Sequence, residues 1–312
     1  MATWRCSAAW VCIGGAIALT VSGGSGWDGG TDRQRQGTAE GESEMNLKQV
    51  RSVETELEIN APLDAVWKAL TDAEELVRWF PLHAKVKPGK GGVIWASWGP
   101  PFEGESTIQI WEPNRHLRTG WPFTASGGEK GVLFVDYFLE STGGKTRLRL
   151  VHSGFGVGGD WDAEYDGVTR GWAFELNGLR HYLEHHRGRD RRPIWIRRPT
   201  NLVADVAAAR LIGPEGRVFR GQIDGLKPGD RYRLELVGTN RIIEGVVSVN
   251  LRPRSFSGTV PGINNAMFRC DIERIGSGEE AWVWFSTYGL DTEEADALQG
   301  QINKAVAEAL PQ

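Results

Sequence analysis

Between Val53 and Val151 the apolar residues mostly alternate with polar ones, so this stretch reads as strands cut by turns. VETELEI is the first strand, and Asn60-Ala61-Pro62 closes it. A helix over DAVWKAL follows, with Ala65, Val66, Ala69 and Leu70 at helical spacing and Pro62 at its start, where a missing N–H costs nothing. AEELVRWF predicts a second, short helix. GGVIWASWG, ESTIQIWE, HLRTGW, GVLFVDYFLE and KTRLRLVHS are then strands, punctuated by Pro100-Pro101, Pro113-Asn114, Gly127-Gly128 and Gly143-Gly144. Strands this close together, with no helix between them, pair antiparallel. From about Asp162 to His186 the period becomes helical, and Val168, Trp172, Leu176, Leu179 and Leu183 form one apolar stripe. The expected class is α+β: a curved antiparallel sheet with one long helix laid across it.

The same order of elements returns after an arginine-rich joint, residues 188–198 (GRDRRPIWIRR). A solvated interdomain linker explains that joint better than a phosphate-binding patch. IWI reads as a short strand, LVADVAAARL as a helix, and RYRLELVG, GVVSVNLRP, MFRCDIERI and EEAWVWFST as strands. A closing helix runs from about Thr292 to Leu310, with Asp291 and Glu294 as a capping pair. Asp64 to Leu70 echoes Asp205 to Leu211, and RLRLVHSGF echoes AWVWFSTYGL, which puts Ser286 where the first half has His152. The expected division is a leader over 1–44, a first domain over 45–187, a linker over 188–198 and a degenerate second copy over 194–312.

INAPLDAVWKALTD, RWFP, IQIWEP, VDYFLE, TRLRLVHSGF and the closing GW-x-x-x-L-x-x-L-x-x-YLE resemble, in order, the START-like (SRPBCC) superfamily. Its branch related to the carboxy-terminal domain of the activator of the heat-shock ATPase is the nearest in look, over residues 53–186. The resemblance implies a helix-grip fold, duplicated here, with a cavity between sheet and long helix. Relatives use that cavity for lipids, hormones or polyketides, and some catalyse cyclisation or hydrolysis in it. The chaperone-activating relatives carry an amino-terminal domain with no counterpart in this sequence, so ATPase activation is not part of the expectation.

Composition narrows the partners. The 312-residue chain has a net charge of -4, so no global field gathers nucleic acid. Only Cys270 lies outside the leader, which rules out a disulfide framework or thiolate metal site in the body. The first 44 residues read either as a weak secretory leader ending near Val21-Ser22-Gly23 or as sequence upstream of a true start at Met45. The second reading implies a cytoplasmic protein, the first an exported one. Beyond the leader no apolar run reaches the length of a membrane span, so stable insertion is not expected.

Three polar features are candidates for chemistry. Strand alternation puts His152 on the same face as Leu148 and Leu150, toward the space beneath the long helix, while Ser153 points away, so the pair is not a nucleophile and its base. His152 is a weak catalytic candidate, and a histidine hydrogen-bonded to backbone at a strand end is the simpler reading. Asp160, Asp162, Glu164 and Asp166 resemble a calcium loop, but Tyr165 and Gly171 occupy the positions that need glycine and a bidentate acid. These acids suit a helix N-terminus. His181, His185 and His186 lack an acidic partner at zinc-site spacing and suit a helix end. No metal or cofactor is expected.

The aromatic set carries the functional expectation. Trp79, Trp95, Trp111, Trp121, Tyr137, Phe155 and Trp172, together with Leu150, His152 and Leu176, are the expected ligand-binding residues, with Phe80 and Trp98 near them. Glu105, Asp136 and Arg118 are the charges that could orient a ligand. The resulting expectation is a module that binds a small hydrophobic molecule without confident catalysis. Its rivals are a cavity-based cyclase or hydrolase using His152, and an interaction or co-chaperone-like module whose second domain packs on the first or on a protein partner.

Overall fold

The computed structural model describes residues 50–124, 128, 130–158, 160–275 and 278–311. The leader and Met45 lie outside the described residues.

The first domain is a seven-stranded antiparallel sheet in the order β1-β7-β6-β5-β4-β3-β2. Its strands are β1 (Arg51–Ile59), β2 (His83–Lys87), β3 (Val93–Ser97), β4 (Glu103–Glu112), β5 (His116–Thr124), β6 (Lys130–Thr142) and β7 (Lys145–Phe155). Helices α1 (Leu63–Thr71) and α2 (Ala73–Leu76) follow β1, and α3 (Asp160–His181) continues into a π-helical turn over Tyr182–His186. Asp72 starts α2 by accepting the backbone N–H groups of Glu74 and Glu75, two donors a helix start leaves free. Strand β2 was not foreseen, because HAKVK carries only one strongly apolar residue. The outer face of the sheet is polar. On β1 and β7, Glu58 pairs with Lys145 at 2.5 Å and Glu56 with Arg147 at 3.4 Å.

Gly154 ends the straight part of β7. Its φ is +102°, and a Cβ there would lie 2.2 Å from the Val132 carbonyl oxygen, so only glycine allows the strand to bend toward α3 at this point. The acidic segment after it opens α3, and Asp162 pairs with Arg51 at 2.7 Å.

The second domain is an eight-stranded sheet in the order β8-β15-β14-β13-β12-β11-β10-β9, antiparallel except for the β9–β10 pair. Its strands are β8 (Arg191–Thr200), β9 (Ile212–Gly213), β10 (Phe219–Arg220), β11 (Arg231–Leu236), β12 (Ile242–Leu251), β13 (Ser255–Val260), β14 (Ala266–Ile275) and β15 (Gly278–Tyr288). Its helices are α4 (Ala204–Leu211) and α5 (Thr292–Ala309), the latter capped by Asp291 on the N–H groups of Glu293 and Glu294. The duplication holds in register: His152 on β7 faces Val53, the third residue of β1, and Ser286 on β15 faces Pro193, the third residue of β8.

The arginine-rich joint is not a linker. Residues 191–198 lie in β8, an edge strand along its full length, and Pro193 and Pro199 are tolerated there because an edge strand has one side without ladder bonds.

The layers run sheet, helix, sheet, helix. Trp172, Leu176 and Leu179 of α3 share a core with the first sheet. Met267, Trp282, Trp284 and Tyr288, from the second sheet, belong to that same core. The other face of the second sheet, with Phe268, Cys270, Val283 and Phe285, packs with Leu298, Ile302 and Val306 of α5. Strand β14 is buried over its first eight residues as a result.

Charge pairs stitch α3 to the second sheet. Arg170 binds Glu273 through two bonds of 2.7 and 3.0 Å, with both side chains under a tenth exposed. Arg269 lies over the Phe174 ring at 4.2 Å, contacts Glu175 at 3.4 Å and pairs with Asp271. At the helix end, His181 and His186 both donate from Nε2 to the Asn265 carbonyl, at 2.6 and 2.9 Å. That carbonyl belongs to the turn before β14. Two of the three histidines therefore hold a domain contact while His185 is exposed, and no group of metal-ligating residues occurs among the described residues.

Candidate functional site

Beneath α2 and the inner face of the sheet lies a cavity of about 40 Å³. A single water needs roughly 10–15 Å³ on the same measure, so the closed space holds only a few small molecules. Its walls are Leu70, Leu76, Trp79, Phe80, Pro81, Ile94, Ala96, Ser106, Leu117, Thr119, Trp121, Val135 and Tyr137. Strand alternation sets this lining: Val135 and Tyr137 point inward from β6, while Phe134, Asp136 and Phe138 point out. Ser106, Thr119, Trp121 and Tyr137 are the polar groups among apolar walls. The Trp121 Nε1 is buried and makes no hydrogen bond. Burial beside Glu175 pushes the Tyr137 hydroxyl well above its ordinary range, so it stays protonated.

The cavity's far wall is a stacked pair, Trp79 on Phe80, with ring centroids 4.9 Å apart. Trp79 is fixed by its indole bond to the Ala69 carbonyl at 2.9 Å. Behind this pair lies a second cavity, about 10 Å³, between the domains. Trp98, Phe174 and Glu175 face it from the first domain, and Arg191, Trp195, Arg269, Asp271, Trp282 and Trp284 from the second. Burial pushes the Glu175 carboxyl up to about 8 and the Asp271 carboxyl up to about 6, partly offset in both by Arg269. Trp195 also borders an open groove of about 480 Å³ between β8 and α5, beside Arg197, Asp296, Gln299 and Asn303.

The sequence profile of the family described as Activator of Hsp90 ATPase homolog 1-like protein matches residues 60–184. Over these residues the first domain is similar to this family. No curated protein matches the chain. Among solved structures, the Mesorhizobium loti protein MLL2253 is 26% identical, covering 44% of this chain and 98% of its own, with a TM-score of 0.38. DynU16, from the dynemicin biosynthetic locus, is 20% identical over 82% of this chain and 96% of its own, with a TM-score of 0.37. The di-domain ARO/CYC protein BexL, of the BE-7585A biosynthetic pathway, is 15% identical over 84% and 99%, with a TM-score of 0.39.

Within the first domain, the expected ligand-binding residues divide into separate groups. Trp79, Trp121 and Tyr137 line the grip cavity. Leu150, His152, Phe155, Trp172 and Leu176 are buried beside α3 but do not reach the cavity wall. Trp95 points away, because Ile94 and Ala96 on either side of it face inward, and it lies against the Lys85 ammonium at 5.2 Å. Trp111 packs edge-on against Trp67 of α1, 5.2 Å between centroids, since a bulge between Ile108 and Ile110 changes the phase of β4 before it. Asp136, bound by His116 at 2.7 Å and Arg118 at 3.4 Å, sits on the outer face, and Glu105 is exposed.

His152 is fully buried and accepts the Trp172 indole N–H at Nδ1, 2.9 Å away. Its partner is thus an indole rather than the backbone group expected. Nε2 then carries the proton and is buried without a partner. Desolvation depresses the imidazole to about 3. A ring that stays neutral and does not border the cavity is poorly placed as a general base.

Arg191 was met in the sequence only as part of the arginine-rich joint, and Arg269, Glu175 and Asp271 were not singled out. Arg191, Glu175 and the Arg269–Asp271 pair of β14 are far apart in the chain, and the packing of the second sheet on α3 brings them together.

Proposed function

We propose that the protein binds a small, mainly apolar molecule carrying a hydrogen-bond acceptor, in the grip cavity of its first domain. The observation that carries this reading is the Trp121 Nε1–H, a buried donor with no acceptor in the wall of an otherwise apolar space. A carbonyl or ether oxygen of the ligand accepts from this N–H, and the body of the ligand lies against Leu117, Val135 and Trp79. The cavity is small in the closed state, so a ring system enters only when Trp79 and Phe80 move aside. The family match over residues 60–184 supports the reading, since helix-grip folds of this kind typically hold hydrophobic ligands; here the space lies against α1 and α2 rather than beneath α3, which contributes no residue to its lining. His152 chemistry is not part of it.

The test is a titration with the fluorescent naphthyl ketone prodan. Saturable one-to-one binding with a blue-shifted emission supports the reading, provided that Ala96→Phe, which fills the cavity from β3, abolishes it while leaving the circular dichroism unchanged. No saturable binding, or binding indifferent to Ala96→Phe, contradicts it.

A further inference from the structure

The interdomain cavity has an electrostatic asymmetry. Arg170 is matched by Glu273 and Asp166, and Arg269 by Asp271 and Glu175. Arg191 is different. Its guanidinium binds the carbonyls of Phe80, at 3.3 and 3.4 Å, and of Pro81, and among the described residues no carboxylate lies within ion-pairing distance. Its Nε is buried and unbonded. An arginine enclosed by an interface with no carboxylate in direct contact is costly, because its charge has left water and is met only by carbonyls, the Trp284 ring at 5.2 Å and the more distant Glu175. Burial lowers its proton affinity accordingly. Glu175 borders the same cavity and acts on Arg191 from beyond ion-pairing distance, while it contacts Arg269 directly at 3.4 Å.

Arg191 also touches the partition between the two cavities. It holds the backbone of Phe80, and Phe80 with Trp79 is the only pair of side chains common to both linings. On the solvent side, Trp195 alone is shared with the open groove. The groove, the interdomain cavity and the grip cavity are therefore neighbours in turn, with Trp195 between the first two and Trp79 and Phe80 between the last two.

We propose that the two cavities form one chamber for a molecule with an aromatic or polyene body and a single anionic group, the body in the grip and the anion against Arg191. The second domain then supplies the charge that selects the ligand. This rests on the binding reading above and adds the ligand's charge to it.

The experiment uses two probes with the same anilinonaphthalene body, one anionic, 8-anilinonaphthalene-1-sulfonate, and one neutral, N-phenyl-1-naphthylamine. The full chain is expected to bind the sulfonate about tenfold more tightly, the gain of one charge-assisted contact. Arg191→Met is expected to remove that preference, weakening the sulfonate about tenfold more than the neutral probe. Arg191→Lys, which keeps the charge and covers the case in which the Met variant fails to fold, is expected to lose only part of the preference. Equal affinities in the unaltered protein, or a preference that survives Arg191→Met, overturn the anion assignment and leave the neutral-ligand reading standing. Failure of both probes to bind overturns both.

Discussion

Trp172 of the long helix donates its indole N–H to His152 of the last strand of the first sheet, at 2.9 Å, inside a core where the histidine has no exposed surface. The bond fixes the neutral tautomer and ties α3 to β7 at the point where the strand bends.

Acid should therefore weaken the fold. His152 titrates near 3 when folded and near 6.5 when unfolded, so between those values the unfolded chain holds more protons. Stability is complete above about pH 6.5 and falls as the pH drops toward 3, by up to ~1.4 kcal/mol per pH unit. His181, depressed to about 4 mainly by burial, acts in the same direction. Urea midpoints measured at pH 7 and pH 5 should differ, and His152→Phe should show a smaller difference than the unaltered protein. An identical pH slope in the variant would remove His152 as a cause.

Breaking the Arg170–Glu273 pair from one side should cost about 3–5 kcal/mol, because it strands a buried charge. Glu273→Gln is the milder form and should lower the melting temperature in calorimetry. The double change Arg170→Met with Glu273→Leu should recover most of the loss, since the partners then cost no desolvation.

Gly154→Ala should destabilise by at least ~2 kcal/mol, combining a left-handed backbone with a clash against the Val132 carbonyl. Gly143→Ala, at φ +59° with nothing nearby, should cost less. Equal losses at the two glycines would show that the bend is not sterically set.

Trp121→Phe removes the unbonded donor while keeping most of the wall. Prodan affinity should fall about five- to tenfold, the worth of one hydrogen bond, and affinity for N-phenyl-1-naphthylamine should hold. Parallel losses for both probes would make Trp121 a packing residue only.

Much of the first domain was legible because its periods are clean. Thr146, Leu148, Leu150 and His152 face inward on period two, and Trp172, Leu176 and Leu179 face the sheet at helical spacing. Trp95 was misplaced although parity in VIWAS argued against it: Ile94 and Ala96 could not face inward together with the tryptophan between them. Trp111 follows a bulge that strand parity cannot count across. The interface was hidden for a different reason. Arg269, Asp271 and Glu273 alternate with apolar residues on β14 and so resemble a solvent face, and only the matching charges of Arg170 and Glu175 on α3 reveal that they are buried. Likewise RRPIWIRRP reads as a joint until its arginines are seen to fold over aromatic rings, as Arg197 does over Phe102 at 4.1 Å.

The central claim is that a ligand enters the space walled by Trp121, Tyr137 and Trp79 beneath the helices of the first domain. Following the indole N–H resonances during a prodan titration tests it most directly. The account predicts that the Trp121 and Trp79 signals shift in step with binding while those of Trp95 and Trp111 stay put. Shifts confined to Trp95 and Trp111, or none at all at saturating probe, would contradict it.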